Sequence, residues 1–261
     1  MAASRRRPVP VARGAELRVR HYARLDASRP DRVGVPEVVL AEGKSVAHLV
    51  GIVRALAARG HGALISRPTP VQRRAFATER RRGIRLDERA GGRLVRLAGP
   101  LGVEYRPGVV ALVTAGTSDV PLAEEAGAVL AELGIATVRA FDVGVAGLHR
   151  LLRAVRQLER SSPQVYLVFA GREGALPTVV AGLVPAPVIG VPTSIGYGRG
   201  GRGEAALSAM LQSCAPLAVV NIDAAVPAAL FAAQRFAVRG GSRRTRRPAG
   251  RPRRPSARVR P

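Results

Sequence analysis

From residue 107 to residue 236 the sequence alternates between short apolar runs and amphipathic segments, and this alternation restricts the possible folds strongly. Five apolar runs have the length of buried parallel strands; they lie at 109–114, 136–141, 165–170, 188–191 and 218–222. Helical patterns follow these runs at 122–133, 148–159, 176–183, 204–213 and 224–236. Strict alternation of this kind implies right-handed crossovers, so the sequence predicts an α/β fold with a three-layer, doubly wound parallel sheet of the flavodoxin or Rossmann type.

Residues 25–101 have a more mixed pattern, for which we predict a smaller N-terminal α/β domain. Apolar runs at 37–41, 63–66 and 93–97 are candidate strands, and a helical pattern covers 45–59. An arginine-rich stretch occupies 72–82. The larger, regular domain is then expected at 107–236.

The two ends of the chain are basic, and we predict disordered tails at 1–24 and 237–261. Eleven arginines and no acidic residue lie between Arg235 and Pro261, among Gly, Pro and Ser. Such a composition cannot bury enough apolar surface to offset the entropy cost of ordering. The tails could contact nucleic-acid phosphates. Without stacking aromatics or a binding motif, however, a solvated tail is the favoured interpretation.

The net charge of +24 has a compositional cause as well as a functional one. Lys44 is the single lysine among 42 basic residues, and an arginine excess of this size is typical of a GC-rich genome. No apolar stretch reaches the roughly 18 residues of a membrane span, and no apolar segment follows Arg5–Arg7 as in a signal peptide. Cys214 is the only cysteine, which excludes an internal disulfide. We therefore expect a cytoplasmic protein that does not enter a membrane.

The loops that follow the predicted strands collect Gly, Ser, Thr and carboxylate residues. In an open α/β sheet, ligands bind outside the carboxyl ends of the strands. Glycine lets the backbone approach a ligand closely, and helix N-termini present free N–H groups to anions. The loops thus indicate a phosphate- or nucleotide-binding rim. They match neither a Walker A loop nor GxGxxG, and ordinary turn and cap chemistry explains many of the same residues.

Cys214 admits two interpretations from the residues alone, an inert buried thiol or a nucleophile. Free cysteine is among the most buried residue types, which favours the inert thiol. Cys214 follows the helical pattern at 204–213 and precedes a strand. On a simple sheet this position lies on the edge opposite the predicted rim, and a helix C-terminus disfavours a thiolate.

Several segments closely resemble the LarB family and occur in the order found in that family. They are LDASRPDRVGVPEVVLAEGKS (25–45), AGTSDVPLAEEA (115–126), DVGVAGLHRLL (142–152), AGREGALPTVVAGLV (170–184), VPTSIGYG (191–198), MLQSCA (210–215) and VVNID (219–223). The similarity extends over most of the chain. It implies a larger domain similar to PurE, the carboxylase/mutase of purine synthesis.

LarB proteins are pyridinium-3,5-biscarboxylic acid mononucleotide synthases, which begin assembly of the nickel-pincer cofactor. The resemblance implies carboxylation of the pyridinium ring of nicotinic acid adenine dinucleotide, with CO2 or bicarbonate as co-substrate, and cleavage of the phosphoanhydride to release AMP. It also implies a homo-oligomer with shared active sites and no tightly bound cofactor. The sequence has no His/Cys cluster of metal ligands. A weakly held Mg²⁺ would leave little trace, so the metal requirement stays open.

The resemblance also assigns catalytic roles to two residues. Cys214, in QSCA (212–215), is implied to be the nucleophile that adds to the electrophilic pyridinium ring, and Glu173, in EGALP, is the implied proton acceptor. The thiol must ionise to react, and a cationic ring with nearby Arg or Lys would favour the thiolate. The candidate substrate-binding residues are Lys44, Arg67, Thr117, Ser118, Asp119, Asp142, Gly171, Gly174, Thr193, Ser194, Gly196, Asn221 and Asp223.

The chain departs from the family pattern at the rim. Arg172 stands where the family usually has Met, and the loops 199–203 and 224–228 also differ. Cys214 and Glu173 are unaffected. Two other functions stay open: a PurE-type aminoimidazole ribonucleotide carboxylase or mutase, whose hallmark histidine would fall near Ala175, and a non-catalytic nucleotide or nucleic-acid binder.

Overall fold

The computed structural model describes residues 16–26 and 29–238. The segment predicted to be disordered at the C-terminus lies, from residue 239 onward, outside the described residues. At the N-terminus the structure differs from the predicted disorder of residues 1–24. Strand β1 (Glu16–Val19) pairs antiparallel with β2 (Ala23–Asp26). The hairpin forms because Leu17 and Val19 alternate with exposed residues and are buried against the N-terminal unit.

The N-terminal unit is a four-stranded sheet with helices. Its elements are α1 (Arg29–Val33), β3 (Val38–Leu40), α2 (Val46–Ala57), β4 (Ala63–Ser66), α3 (Pro70–Arg81), β5 (Leu86–Arg89) and β6 (Leu94–Leu97). The strand order is β3-β4-β6-β5, with only the β3/β4 pair parallel. The arginine-rich stretch predicted at 72–82 is thus mostly helix α3. Strand β5 was not predicted, because three of its four residues are exposed and polar.

The two main helices of this unit begin at side-chain caps. The Ser45 hydroxyl accepts a hydrogen bond from the His48 amide at the start of α2 (3.1 Å). At α3, Thr69 and Gln72 form a reciprocal capping box, and Pro70 occupies the first turn. These caps fix where each helix starts, and therefore where the loops after β3 and β4 run.

The C-terminal unit is a five-stranded, fully parallel sheet with helices on both faces, as predicted. Its elements are β7 (Val109–Thr114), α4 (Val120–Glu132), β8 (Ala136–Ala140), α5 (Leu148–Glu159), β9 (Val165–Ala170), α6 (Ala175–Ala181), β10 (Val188–Pro192), α7 (Glu204–Leu211), β11 (Leu217–Val219) and α8 (Ala225–Ala233). The order β8-β7-β9-β10-β11 is flavodoxin-like, and its topological switch point lies between β7 and β9.

Aliphatic residues fill both layers of this unit. Helices α4 and α8 pack on one face of the sheet, and α5, α6 and α7 pack on the other. The central strand β9 is buried along its whole length, with Tyr166 and Phe169 on opposite faces. No helix in the described part of the chain is both long and apolar enough to cross a membrane.

Helix α4 also joins the two units. Leu64 and Leu94 lie on the face of the N-terminal sheet that packs against the larger unit, and they belong to the same apolar cluster as α4. Glu132 at the end of α4 accepts hydrogen bonds from Arg89 (2.8 Å) and Arg96 (3.2 Å) of that sheet. A second link is the Tyr105 hydroxyl, which donates to the Gly34 carbonyl (3.0 Å); burial raises the pKa of Tyr105 to about 12. The N-terminal sheet is therefore fixed against the larger unit by packing and charge together.

Candidate functional site

The loops after β7 and β9 flank the switch point and form the centre of the rim. The first loop carries Thr117 and Ser118, both exposed, in a short 3-10 turn that leads into α4. The second carries Glu173, also exposed, immediately before α6. Ligands of doubly wound sheets bind at this point, so these side chains have the position that the sequence predicted for them.

Asp119 organises the β7 loop from a buried position. Its Oδ2 accepts from the Gly116 amide (2.9 Å), and its Oδ1 accepts from the Thr193 hydroxyl (2.7 Å). Burial raises the pKa of the Asp119 carboxyl above its usual range, the two hydrogen bonds oppose this rise, and the nearby Asp223 carboxylate adds to it. Thr193 is fully buried and its hydroxyl is engaged, so this predicted substrate-binding side chain instead holds Asp119 in place.

Asp223 connects three loops of the rim. Its Oδ1 accepts from the Ser194 amide (2.8 Å), which fixes the loop after β10 to the end of β11. Its main-chain carbonyl accepts a hydrogen bond from Arg67. Arg67 follows β4 of the N-terminal sheet, so this contact brings the N-terminal unit to the edge of the parallel sheet. The predicted binding residues Arg67, Ser194 and Asp223 are therefore neighbours in the structure.

A buried carboxylate, Glu125 of α4, anchors Arg67 in this position. Glu125 is fully buried and accepts from the Ser66 hydroxyl (2.9 Å) and from Arg93 (3.2 Å), and Arg67 Nε lies 3.5 Å from it. Sequence reasoning did not single out Glu125. A signal was available, since a carboxylate between Leu122 and Ala126 interrupts the apolar face of α4.

Lys44 lies in the loop after β3, and its ammonium donates to the Leu40 carbonyl (2.8 Å). The same loop is pinned from the other side, because the Gln72 amide donates to the Ala41 and Lys44 carbonyls (2.9 and 2.7 Å). Strands β3 and β4 are parallel, so Lys44 and Arg67 follow strand ends at one edge of the sheet. Glu42 Oε2, 4.0 Å from Arg67 Nη1, connects the two loops.

Two of the three predicted rim glycines, Gly171 and Gly174, have packing roles that glycine alone can fill. A Cβ on Gly171 would lie 2.2 Å from the Ile195 carbonyl oxygen, so glycine lets the loops after β9 and β10 touch. Gly174 has φ +65°, and its Cβ would lie 2.6 Å from the Ala206 carbonyl oxygen. Gly196 is exposed in the loop after β10. Gly171 and Gly174 therefore set the spacing of the loops around Glu173.

Four rim residues in loops that follow strands have the left-handed backbone conformation, which also occurs away from the rim at Arg20 after β1 and Ala90 after β5. The four rim residues are Arg67 (φ 53°), Asp142 (φ 57°), Arg172 (φ 49°) and Asp223 (φ 56°). This conformation is uncommon outside glycine and tends to gather at functional sites. Asp142 is exposed at the end of β8, and its Oδ2 lies 3.4 Å from Arg150.

Arg172 and Tyr197 form a pair that the sequence did not predict. Arg172 Nη1 donates to the Tyr197 hydroxyl (2.7 Å), and the guanidinium carbon lies 4.6 Å from the centre of the Tyr197 ring. Both residues are exposed and belong to adjacent loops of the rim. Asn221, at the end of β11, is exposed, and its side-chain oxygen accepts from the Ile222 amide (2.8 Å).

Cys214 is exposed, so the expectation of a buried thiol is wrong, and its role as a nucleophile stays a prediction. It lies between α7 and β11, in the loop that enters the strand, at the edge of the sheet opposite the rim. The preceding residue, Ser213, accepts from the Thr178 hydroxyl of α6 (2.9 Å) and from the Ala215 amide (3.1 Å), which holds the loop against α6. Helix α6 begins just after Glu173, and Thr178 lies about 4.5 Å along the helix axis from Ala175, its first residue. The hydrogen bond between Thr178 and Ser213 therefore connects the Cys214 loop to the helix that follows Glu173.

His149, in the first turn of α5, lines a surface depression along that helix with Arg153 and Arg156. Within residues 16–26 and 29–238, no three His, Cys, Asp or Glu side chains gather as a metal site. The rim as described offers hydroxyls, backbone amides, carboxylates and guanidinium groups. Such groups suit an anionic nucleotide together with proton transfer.

Two family models match the chain. One is described as a LarB/PurE-like N-terminal domain and matches residues 17–91; the other is AIR carboxylase and matches residues 109–246. An uncharacterized protein of Methanocaldococcus jannaschii is 37% identical over 217 residues, which cover 80% of this chain and 82% of that protein.

Curated enzymes and solved structures resemble the C-terminal part. An N5-carboxyaminoimidazole ribonucleotide mutase of M. jannaschii is 31% identical over 132 residues, covering 50% of this chain and 80% of that enzyme. The mutase of Mycobacterium tuberculosis is 33% identical over 137 residues, covering 51% and 74%. The crystal structure of Treponema denticola PurE is 26% identical, with a TM-score of 0.39, and covers 47% of this chain and 78% of that one.

Proposed function

Because the chain belongs to the AIR carboxylase family and has the two-domain LarB/PurE-like architecture, we propose that it is a pyridinium-3,5-biscarboxylic acid mononucleotide synthase. Family membership indicates a carboxylase or mutase type of enzyme. The proposed substrate is nicotinic acid adenine dinucleotide, and CO2 or bicarbonate is the proposed co-substrate. The observation that carries the proposal is a free, exposed Cys214 in a chain whose rim places Glu173 at the switch point.

The proposed reaction begins with addition of the Cys214 thiolate to a ring carbon of the pyridinium. A C–S bond forms, and the ring π electrons neutralise the nitrogen, which leaves an enamine. The enamine carbon attacks CO2 and forms a C–C bond. Glu173 then removes the proton from that carbon, the electrons re-form the aromatic ring, and the C–S bond breaks with release of the thiolate. Water cleaves the phosphoanhydride to give AMP and the biscarboxylated mononucleotide.

The donors at the rim support this assignment for an anionic substrate. Thr117 and Ser118 are exposed hydroxyl residues beside the switch point, and Arg67 brings a cation to the rim from the N-terminal unit. Glu173 is exposed and precedes α6, where it can reach a substrate carbon. A PurE-type carboxylase or mutase would have its hallmark histidine near residue 175. This chain has Ala175 there, which cannot transfer a proton.

The position of Cys214 leads us to propose a shared active site. In one chain Cys214 lies on the loop entering β11, whereas Glu173 lies on the loop leaving β9 at the opposite edge. Strand β11 is an edge strand, and Leu211, which ends α7 three residues before Cys214, is 66% exposed. An edge strand offers unpaired backbone groups to which a second copy can bind. We propose that a homo-oligomer brings the thiol of one chain to the rim of another.

The proposed activity is tested by incubating the purified protein with nicotinic acid adenine dinucleotide and bicarbonate. Mass spectrometry should detect AMP and the biscarboxylated mononucleotide in equal amounts. Cys214→Ala should abolish the carboxylated product, while Gln212→Ala, at an exposed position two residues before it, should retain turnover. Product formation by Cys214→Ala would exclude the thiol as nucleophile. Turnover of N5-carboxyaminoimidazole ribonucleotide instead would favour the mutase.

The shared site has a separate test by complementation. Cys214→Ala and Glu173→Gln chains, each inactive alone, are co-expressed with different tags and isolated as mixed oligomers. If one site takes its thiol and carboxylate from different chains, one of the two sites in an isolated mixed dimer has both groups intact, so mixed dimers regain roughly half of wild-type activity. If both groups come from one chain, the mixture remains inactive and the shared site is excluded.

A further inference from the structure

The Arg172–Tyr197 pair is the most exposed aromatic feature of the rim. Aromatic residues make up only 3% of the chain, so few are available to fill the core. Tyr197 is nevertheless 77% exposed. Its ring carries the Arg172 guanidinium on one face, with the guanidinium carbon 4.6 Å from the ring centre. An aromatic ring held open to solvent beside a binding edge is typical of a surface on which a flat ligand stacks.

The backbone holds this pair in place before any ligand binds. Arg172 has φ 49°, a conformation that directs its side chain in a way ordinary loops rarely do. The loops of Arg172 and Tyr197 touch at their bases, because Gly171 and the Ile195 carbonyl approach too closely for any side chain at 171. A Cβ built on Gly198, next to Tyr197, would meet no atom within 4 Å. A preorganised surface binds with less ordering cost than a mobile one.

The proposed substrate offers the pair two rings. Its pyridinium is a cationic ring that also carries a carboxylate, so Arg172 repels the ring and attracts its substituent. Adenine is neutral, stacks on tyrosine and guanidinium planes alike, and is linked to a diphosphate that Arg172 attracts. Stacking on the pair therefore suits adenine, and the pyridinium is left for Glu173, where the proposed reaction requires it.

We propose that Arg172 and Tyr197 form a purine-stacking subsite that binds the adenine of the substrate and orients the pyridinium toward Glu173. This inference rests on the proposed function for the identity of the dinucleotide. It assigns to Arg172 a role in base binding. Tyr197 touches the base, whereas Arg172 acts partly by holding the ring.

Binding of AMP, ribose 5-phosphate and nicotinic acid mononucleotide to the full chain, measured by calorimetry, tests the subsite without turnover. Tyr197→Ala should weaken AMP binding about 5- to 100-fold and leave ribose 5-phosphate and nicotinic acid mononucleotide nearly unchanged. Tyr197→Phe should retain most of the affinity for AMP. Arg172→Met should weaken AMP binding, and the double variant Arg172→Met/Tyr197→Ala should lose less than the sum of the two single losses. Arg153→Met, an exposed arginine on α5, is the matched control for charge and should have no effect.

Several outcomes would overturn the subsite: no AMP binding by the wild type, unchanged AMP affinity in Tyr197→Ala, or equal losses for AMP and ribose 5-phosphate. Circular dichroism of each variant checks that the fold is intact, which is expected because both side chains are exposed. Base-dependent AMP binding without carboxylation would support the subsite while contradicting the proposed reaction. Turnover with an unchanged KM in Tyr197→Ala would contradict the subsite alone.

Discussion

Replacement of Glu125 by Gln probes how the N-terminal unit is held to the rim. Glu125 is fully buried and faces the Ser66 hydroxyl at 2.9 Å, Arg93 at 3.2 Å and Arg67 at 3.5 Å. Glutamine keeps the volume and one acceptor oxygen but removes the negative charge between two guanidinium groups. The change therefore isolates the electrostatic part of the junction.

The expected cost follows from the burial of each partner. Removing one member of a fully buried ion pair costs about 3–5 kcal/mol. Here the side chains of Arg67 and Arg93 are 27% and 38% exposed, so water can solvate them in part once the carboxylate is gone. We expect Glu125→Gln to lower the free energy of unfolding by about 2 kcal/mol, below the fully buried range.

Urea unfolding followed by circular dichroism measures this loss, with Glu124→Gln as the matched control. Glu124 is the neighbouring residue on the same helix, but it is exposed, so its replacement should change stability by less than about 0.5 kcal/mol. Equal midpoints for Glu125→Gln and Glu124→Gln would refute the reasoning that the buried carboxylate holds the two arginines.

The remaining predictions concern the rim loops and the thiol. Gly174→Ala should cost about 3 kcal/mol in urea unfolding, because it combines a left-handed backbone with a Cβ 2.6 Å from the Ala206 carbonyl. Gly134→Ala, with φ +74° and open space, should cost only about 1 kcal/mol, and equal costs would contradict the packing role. Burial raises the pKa of the Asp119 carboxyl, so its contribution to stability is present at low pH and is lost as pH rises from the ordinary aspartate value of about 3.9 through the folded-state pKa; the stability of Asp119→Asn relative to wild type should therefore rise with pH over that interval, and a constant difference would contradict the shift. Cys214 should react with Ellman's reagent in the native protein, because the proposed shared site must admit substrate to the thiol, and nicotinic acid adenine dinucleotide should slow the reaction; a rate that the dinucleotide leaves unchanged would contradict the place of Cys214 in the site.

Much of the fold could be predicted because local pattern and burial agree in it. The strands β7 and β9 are continuous apolar runs, and the structure gives them the predicted bounds, Val109–Thr114 and Val165–Ala170. The α5 periodicity, with Leu151, Val155 and Leu158 buried on one face, marks a helix equally well. The hairpin of β1 and β2 was missed, since its few apolar residues are surrounded by charges.

The candidate site was less predictable, because its geometry depends on contacts between distant parts of the chain. The sequence identified Arg67 and Asp223 separately, but only the fold brings them into contact across 156 positions. Thr193 has the composition of a ligand-binding residue, yet its hydroxyl is used by Asp119 inside the protein. Sequence periodicity predicts one helix or strand at a time, whereas contacts between side chains far apart in the sequence depend on how several elements pack together.

The most direct test of the proposed function follows the carbon of bicarbonate. The protein is incubated with nicotinic acid adenine dinucleotide and carbon-13 bicarbonate, and the products are analysed by mass spectrometry. We predict AMP and a mononucleotide that carries a single carbon-13 as its new carboxylate. Release of AMP with an unlabelled, singly carboxylated mononucleotide would contradict carboxylation and leave only phosphoanhydride cleavage.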